Sequence, residues 1–154
     1  MADLHLDSSA LVKRYVNETG SLWVEGLFAP SSGHTVFIAA ITGVEIVAAI
    51  TRRARGGGIS PADAAAGCAQ LRADLLVEYQ VVEVSAAVLA SAMVLAESHG
   101  LRGYDAVQLA SALALHSLRC ASGLPALTLV SADGELNAAA RAEGLPVEDP
   151  NAHP

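Results

Sequence analysis

Ala126-Leu127-Thr128-Leu129-Val130-Ser131-Ala132-Asp133 reads as an apolar strand that runs straight into a carboxylate. Leu127 to Val130 lacks the strict apolar–polar alternation of a sheet with one wet face. Its near-continuous apolar character suits a strand covered on both sides, as in a parallel sheet. Gly134-Glu135-Leu136 then opens a short helix that ends at Gly144. A strand followed at once by a helix is the unit of an α/β chain rather than of a hairpin protein.

The same unit recurs outward from this stretch. Leu4–Leu6, Thr35–Ile38 and Gln80–Val84 read as further strands, and Leu145-Pro146-Val147 reads as an edge strand, where Pro is tolerated. Helices are expected between them: Ala10–Val16 with Ser8 or Ser9 as cap, Ser21–Ala29, Ala40–Arg55, and Pro61 to about Glu78 behind a Ser60 cap. A further helix follows the Ser85 cap as far as His99-Gly100, and a long one runs from Tyr104 to about Cys120. The expected fold is a three-layer α/β sandwich with a central, mostly parallel sheet of four to five strands. One domain over residues 1–148 suits the 154-residue length, with 149–154 as a frayed tail.

Hydrophobic residues make up 53% and charged residues only 16%, so the chain can bury a large core and is not disordered. Nine Lys and Arg stand against sixteen Asp and Glu, a formal net charge of −7, which excludes a broad basic nucleic-acid footprint. A polyanionic substrate must therefore meet a local basic patch or a bound cation. Cys68 and Cys120 match no metal or redox spacing and read as small apolar side chains. No signal peptide and no membrane-spanning run is evident, and a soluble cytoplasmic protein is expected.

Ligands of parallel sheets bind beyond the carboxyl ends of strands, where strand order reverses. Asp7 and Asp133 each follow a strand at such a place, although either could simply cap the next helix. Asp105 sits in the first turn of an uncharged helical run, where the helix dipole alone favours a carboxylate. Glu45 is the least ordinary of the four. Its helical neighbours are Ile41, Thr42, Ala48 and Ala49, and no basic residue lies within one turn. A carboxylate there is exposed, or it is partly buried and in need of a cation, a metal or a raised pKa. Four oxygen donors without a His or Cys cluster point to a hard cation, Mg²⁺ or Mn²⁺.

Leu6-Asp7-Ser8-Ser9-Ala10-Leu11-Val12-Lys13, Val44-Glu45, Arg102-Gly103-Tyr104-Asp105-Ala106 and Val130-Ser131-Ala132-Asp133 resemble, in order and spacing, the motifs of PIN-domain ribonucleases. The resemblance spans nearly the whole chain, which looks like the VapC toxins of bacterial type II toxin–antitoxin modules. It implies a Mg²⁺- or Mn²⁺-dependent endoribonuclease that cleaves RNA with Asp7, Glu45, Asp105 and Asp133 as its acidic quartet. Ser9 and Ser131 match hydroxyl positions beside the first and last acids. The resemblance also implies a cognate antitoxin and a homodimer.

Lys13, Arg14, Arg52, Arg53, Arg55 and Arg102 are the candidate phosphate contacts, Arg102 being nearest in sequence to an acid of the quartet. Trp23, Tyr15 and Tyr104 are equally compatible with core, interface or base stacking. Three alternatives stay open: a PIN nuclease of RNA processing, a phospho-accepting domain and a non-catalytic binding module. The phospho-accepting reading lacks a late Lys, since Lys13 is the only lysine.

Overall fold

The computed structural model describes residues 1–154. Five strands form one sheet in the order β3-β2-β1-β4-β5, and every pairing is parallel. They are β1 (Asp3–Leu6), β2 (Thr35–Ala39), β3 (Gln80–Val82), β4 (Thr128–Val130) and β5 (Val147–Glu148). The helices are α1 (Ser8–Leu11), α2 (Ser21–Gly26), α3 (Thr42–Arg55), α4 (Pro61–Val77), α5 (Ala86–His99), α6 (Gly103–Ala121) and α7 (Gly134–Ala142). No helix is long and apolar enough to cross a membrane.

Strand pleating builds the three layers, because successive side chains point to opposite faces. Leu4 and Leu6 of β1, Val36 and Ile38 of β2 and Val130 of β4 pack on one face with Leu11, Ile46, Ile50 and Leu71. On the other face Leu129 packs with Leu95, Leu109, Leu136 and Leu145. The chain winds outward from β1 to β2 and β3, then returns to place β4 on the other side of β1. The reversal of strand order therefore falls between β1 and β4.

Local signals set most boundaries as expected. Ser60 caps α4 with Pro61 in its first turn, Ser85 caps α5, and α5 ends at Gly100 with φ of 66°. The first helix differs. Asp7 is the cap, its carboxylate accepting from the Ala10 N–H, so helix begins at Ser8 and tightens to a 3₁₀ turn over Val12–Arg14. The tail is also not frayed. Pro150–Ala152 forms a capped 3₁₀ turn, and His153 stacks on Trp23 at 4.4 Å and 3°. Gly20, with φ of 83°, makes the close approach possible, since a Cβ there would lie 2.4 Å from the Pro150 carbonyl oxygen.

Candidate active site

Asp7 leaves the carboxyl end of β1, where its N–H donates to the Val130 carbonyl of β4 at 3.1 Å. Its side chain is buried, 2% exposed. Ser9 Oγ lies 2.8 Å from both carboxylate oxygens. Ser131 Oγ donates to Oδ2 at 3.2 Å, and the Ala10 N–H donates to Oδ1 at 3.0 Å. Burial pushes the carboxyl up to about 7, and these hydrogen bonds only partly offset it.

The two serines carry the network across the strand reversal. Ser9 Oγ accepts the Ala132 N–H at 2.9 Å and lies 3.4 Å from Ser131 Oγ. Ser131 Oγ in turn accepts the Asp133 N–H at 3.1 Å. Asp133 caps α7 through the Leu136 N–H, at 2.9 Å, the capping alternative that the sequence left open.

Glu45 lies in the first turn of α3 and is half-buried. Ser8 Oγ donates to its Oε2 at 2.9 Å, and Gln108 Nε2 donates to its Oε1 at 2.7 Å. Asp105 opens α6 and is also half-buried. Burial raises its pKa first, then the negative charge of Asp133. Arg102 pulls it down, and Glu45 and Glu135 push it up. Asp105 therefore shares its electrostatic environment with two other acids of the expected quartet and with Arg102. None of the four acids is in an ion pair.

A groove of about 610 Å³ runs along α3. Glu45, Ser8 and Ser9 line it, with Ile41, Val44 and Ala48 as its apolar wall. Arg52 faces the same groove, two turns beyond Glu45, and is exposed without an ion-pair partner. Tyr104 also lines it, 68% exposed.

Three of the candidate cations are committed elsewhere. Lys13 is buried and its Nζ donates to Glu18, to the Thr19 carbonyl and to Asn151, at 2.8–3.0 Å. Arg14 sits over Phe28 and donates to the Tyr79 hydroxyl, and Arg53 pairs with Glu18 at 2.8 Å. Each helps hold the fold, which leaves Arg52, Arg55 and Arg102 exposed. Trp23 is stacked on the tail, and Tyr15 donates to Asp74 at 2.7 Å. Ser8 and Gln108, which sequence reading missed, both touch Glu45. Gln108 was detectable as an amide three residues after Asp105 in an otherwise apolar helix.

Residues 4–142 match the PIN domain family. The chain is 34% identical over 149 residues to Ribonuclease VapC45 of Mycobacterium tuberculosis, covering 94% of this chain and 93% of that one. Among solved structures it is similar to FitAcB from Neisseria gonorrhoeae, with a TM-score of 0.64, 18% identity and coverage of 96% and 97%. It is also similar to a toxin–antitoxin complex from Klebsiella pneumoniae, with a TM-score of 0.62, 18% identity and the same coverage.

Proposed function

This chain belongs to the PIN-domain family, and from that premise we propose that it is a VapC-type toxin, a metal-dependent endoribonuclease that hydrolyses RNA phosphodiester bonds. The observation that supports the reading is that Asp7 and Asp133 follow β1 and β4 at the strand reversal, that Asp133 and Glu45 both act on the Asp105 carboxyl, and that none of the four is in an ion pair. Asp7 and Asp105 both have raised pKa values, which a bound cation would relieve.

The donor set fits Mg²⁺ or Mn²⁺ in chemistry, being oxygen alone. No three acidic, His or Cys side chains stand together in a group that could hold a metal ion by themselves. Mg²⁺ usually keeps several waters and takes one or two carboxylates plus substrate phosphate. Asp7 and Asp105 would hold the ion, with Glu45 and Asp133 completing the acidic shell. A bound divalent cation supplies charge neutralisation at the phosphoryl oxygens and lowers the pKa of water.

The residues of the chain do the rest. Ser9 and Ser131 fix the orientation of Asp7. We assign the proton of the attacking water to Glu45, the acid of the four that lines the groove. Water adds to phosphorus, one P–O bond breaks, and the leaving oxygen gains a proton. Arg102 and Arg52 offer the exposed positive charge that an RNA backbone needs near an acidic protein.

Asp7→Asn and Asp105→Asn should each abolish Mg²⁺-dependent RNA cleavage while the protein stays folded. Full cleavage by either variant would remove that residue from the site. For partners we infer a cognate antitoxin and a homodimer in the cytoplasm. Supporting the antitoxin are the VapC relative and the likeness to a toxin–antitoxin complex. Supporting the dimer are exposed apolar side chains such as Leu76, Val77, Met93 and Val94.

A further inference from the structure

Gln108 stands one turn beyond Asp105 on α6 and is fully buried. Its Nε2 donates to Glu45 Oε1 at 2.7 Å and to Thr42 Oγ1 at 2.9 Å. Its Oε1 is buried without any partner. The carboxylate dictates this orientation of the amide, because the reverse would set an amide oxygen against an anionic oxygen. A buried acceptor left unpaired costs stability that an apolar side chain of the same length would not lose. The amide therefore leaves one of its own atoms unpaired while it holds the Thr42 hydroxyl and the Glu45 carboxylate together.

The two oxygens of Glu45 are held from two different elements. Ser8 of α1 takes Oε2 and Gln108 of α6 takes Oε1. Glu45 is only half-buried and lines an open groove, so without the amide its carboxylate is free to turn into solvent. Three-residue spacing puts Asp105 and Gln108 on one face of α6. The helix that carries one acid of the quartet thus also anchors another on a different helix.

Resting on the ribonuclease reading above, we propose that Gln108 is a positioning residue, fixing the Glu45 carboxylate across the gap between α3 and α6 in register with Asp105. Its donor N–H sets where Glu45 meets the cation shell and the attacking water.

The test compares full-length native protein, Gln108→Met and Gln108→His. Thermal unfolding is followed without metal, Mn²⁺ binding by calorimetry, and cleavage on total RNA. The Met variant leaves the buried Thr42 hydroxyl without its donor and should melt within a few degrees of the native temperature, yet lose about 10–100-fold in both Mn²⁺ affinity and cleavage rate, the usual size of an outer-shell effect. The His variant keeps an N–H donor and should recover most of both. Native-like Mn²⁺ binding and cleavage by Gln108→Met overturn the proposal. So does a Met variant already unfolding at the assay temperature whose losses Gln108→His does not recover, which would mark the amide as structural. Native protein that neither binds Mn²⁺ nor cleaves RNA overturns the ribonuclease reading and this proposal together, whereas failure of the variants alone leaves that reading standing.

Discussion

Burial raises the Asp7 carboxyl from its ordinary 3.8 to about 7. Buried away from water, the ionised form is disfavoured in the fold but not in the unfolded chain. The stability contributed by the protonated form is therefore full below about pH 3.8 and is lost as pH rises through about 7. The loss is on the order of 4 kcal/mol by linkage. His5, two residues earlier in β1, works in the opposite sense. Its burial lowers the pKa to about 4, so its contribution is present above about 6.5 and is lost as pH falls through 4. The two groups partly cancel in the native protein. Asp7→Asn keeps the cap on α1, because Asn caps as well as Asp, and removes only the Asp7 term. Its melting temperature without metal should exceed the native one by several degrees at pH 8, with the gap shrinking toward pH 4.5. A gap that is constant with pH would contradict a raised Asp7 pKa.

At the scale of elements, two attachments hold the layers beside the site. One joins the 3₁₀ turn after α1 to α4. Asp74 is buried, accepts from Tyr15 and Gln70 at 2.7 Å, and lies 3.7 Å from Arg14. Asp74→Ala leaves these groups without their acceptor and should cost about 3 kcal/mol in chemical denaturation. A change within about 0.5 kcal/mol would show that water satisfies them. The other attachment is the tail, which Asn151 ties to Lys13 and His153 ties to Trp23. Trp23 is the only tryptophan, so its emission reports on the tail alone. Deleting residues 149–154 should shift that emission to the red and leave buried Lys13 short of a partner. An unchanged spectrum would mean that the tail is not docked in solution.

Across the whole molecule, a net charge of −7 opposes an approaching RNA. The exposed guanidinium of Arg52 in the α3 groove is the counterweight. Arg52→Ala should raise the KM for RNA several-fold with little change in kcat. It should also reduce the slope of log affinity against log salt by about 0.7, the share of one phosphate contact on a single strand. Loss of kcat with an unchanged salt slope would place Arg52 outside the RNA path. Strand order matters at this scale as well. Only a sheet with β4 beside β1 brings Ser131 to Asp7.

The sequence by itself determined the alternation of strands and helices, the caps at Ser60 and Ser85, and a Glu45 with no basic residue within a turn. Such features depend on neighbours within a turn or two, so periodicity and composition reveal them. It could not show that Asp7 rather than Ser8 or Ser9 caps α1, because all three offer an acceptor at nearly the same place. Tertiary structure alone decided that Lys13, Arg14 and Arg53 are committed to the fold, that the last six residues dock, and that Gln108 reaches Glu45. Each of these joins groups far apart in sequence. Their pairing depends on which surfaces are buried against which, and burial is a property of the packed chain, since a charge or amide has to find a partner only once water is gone.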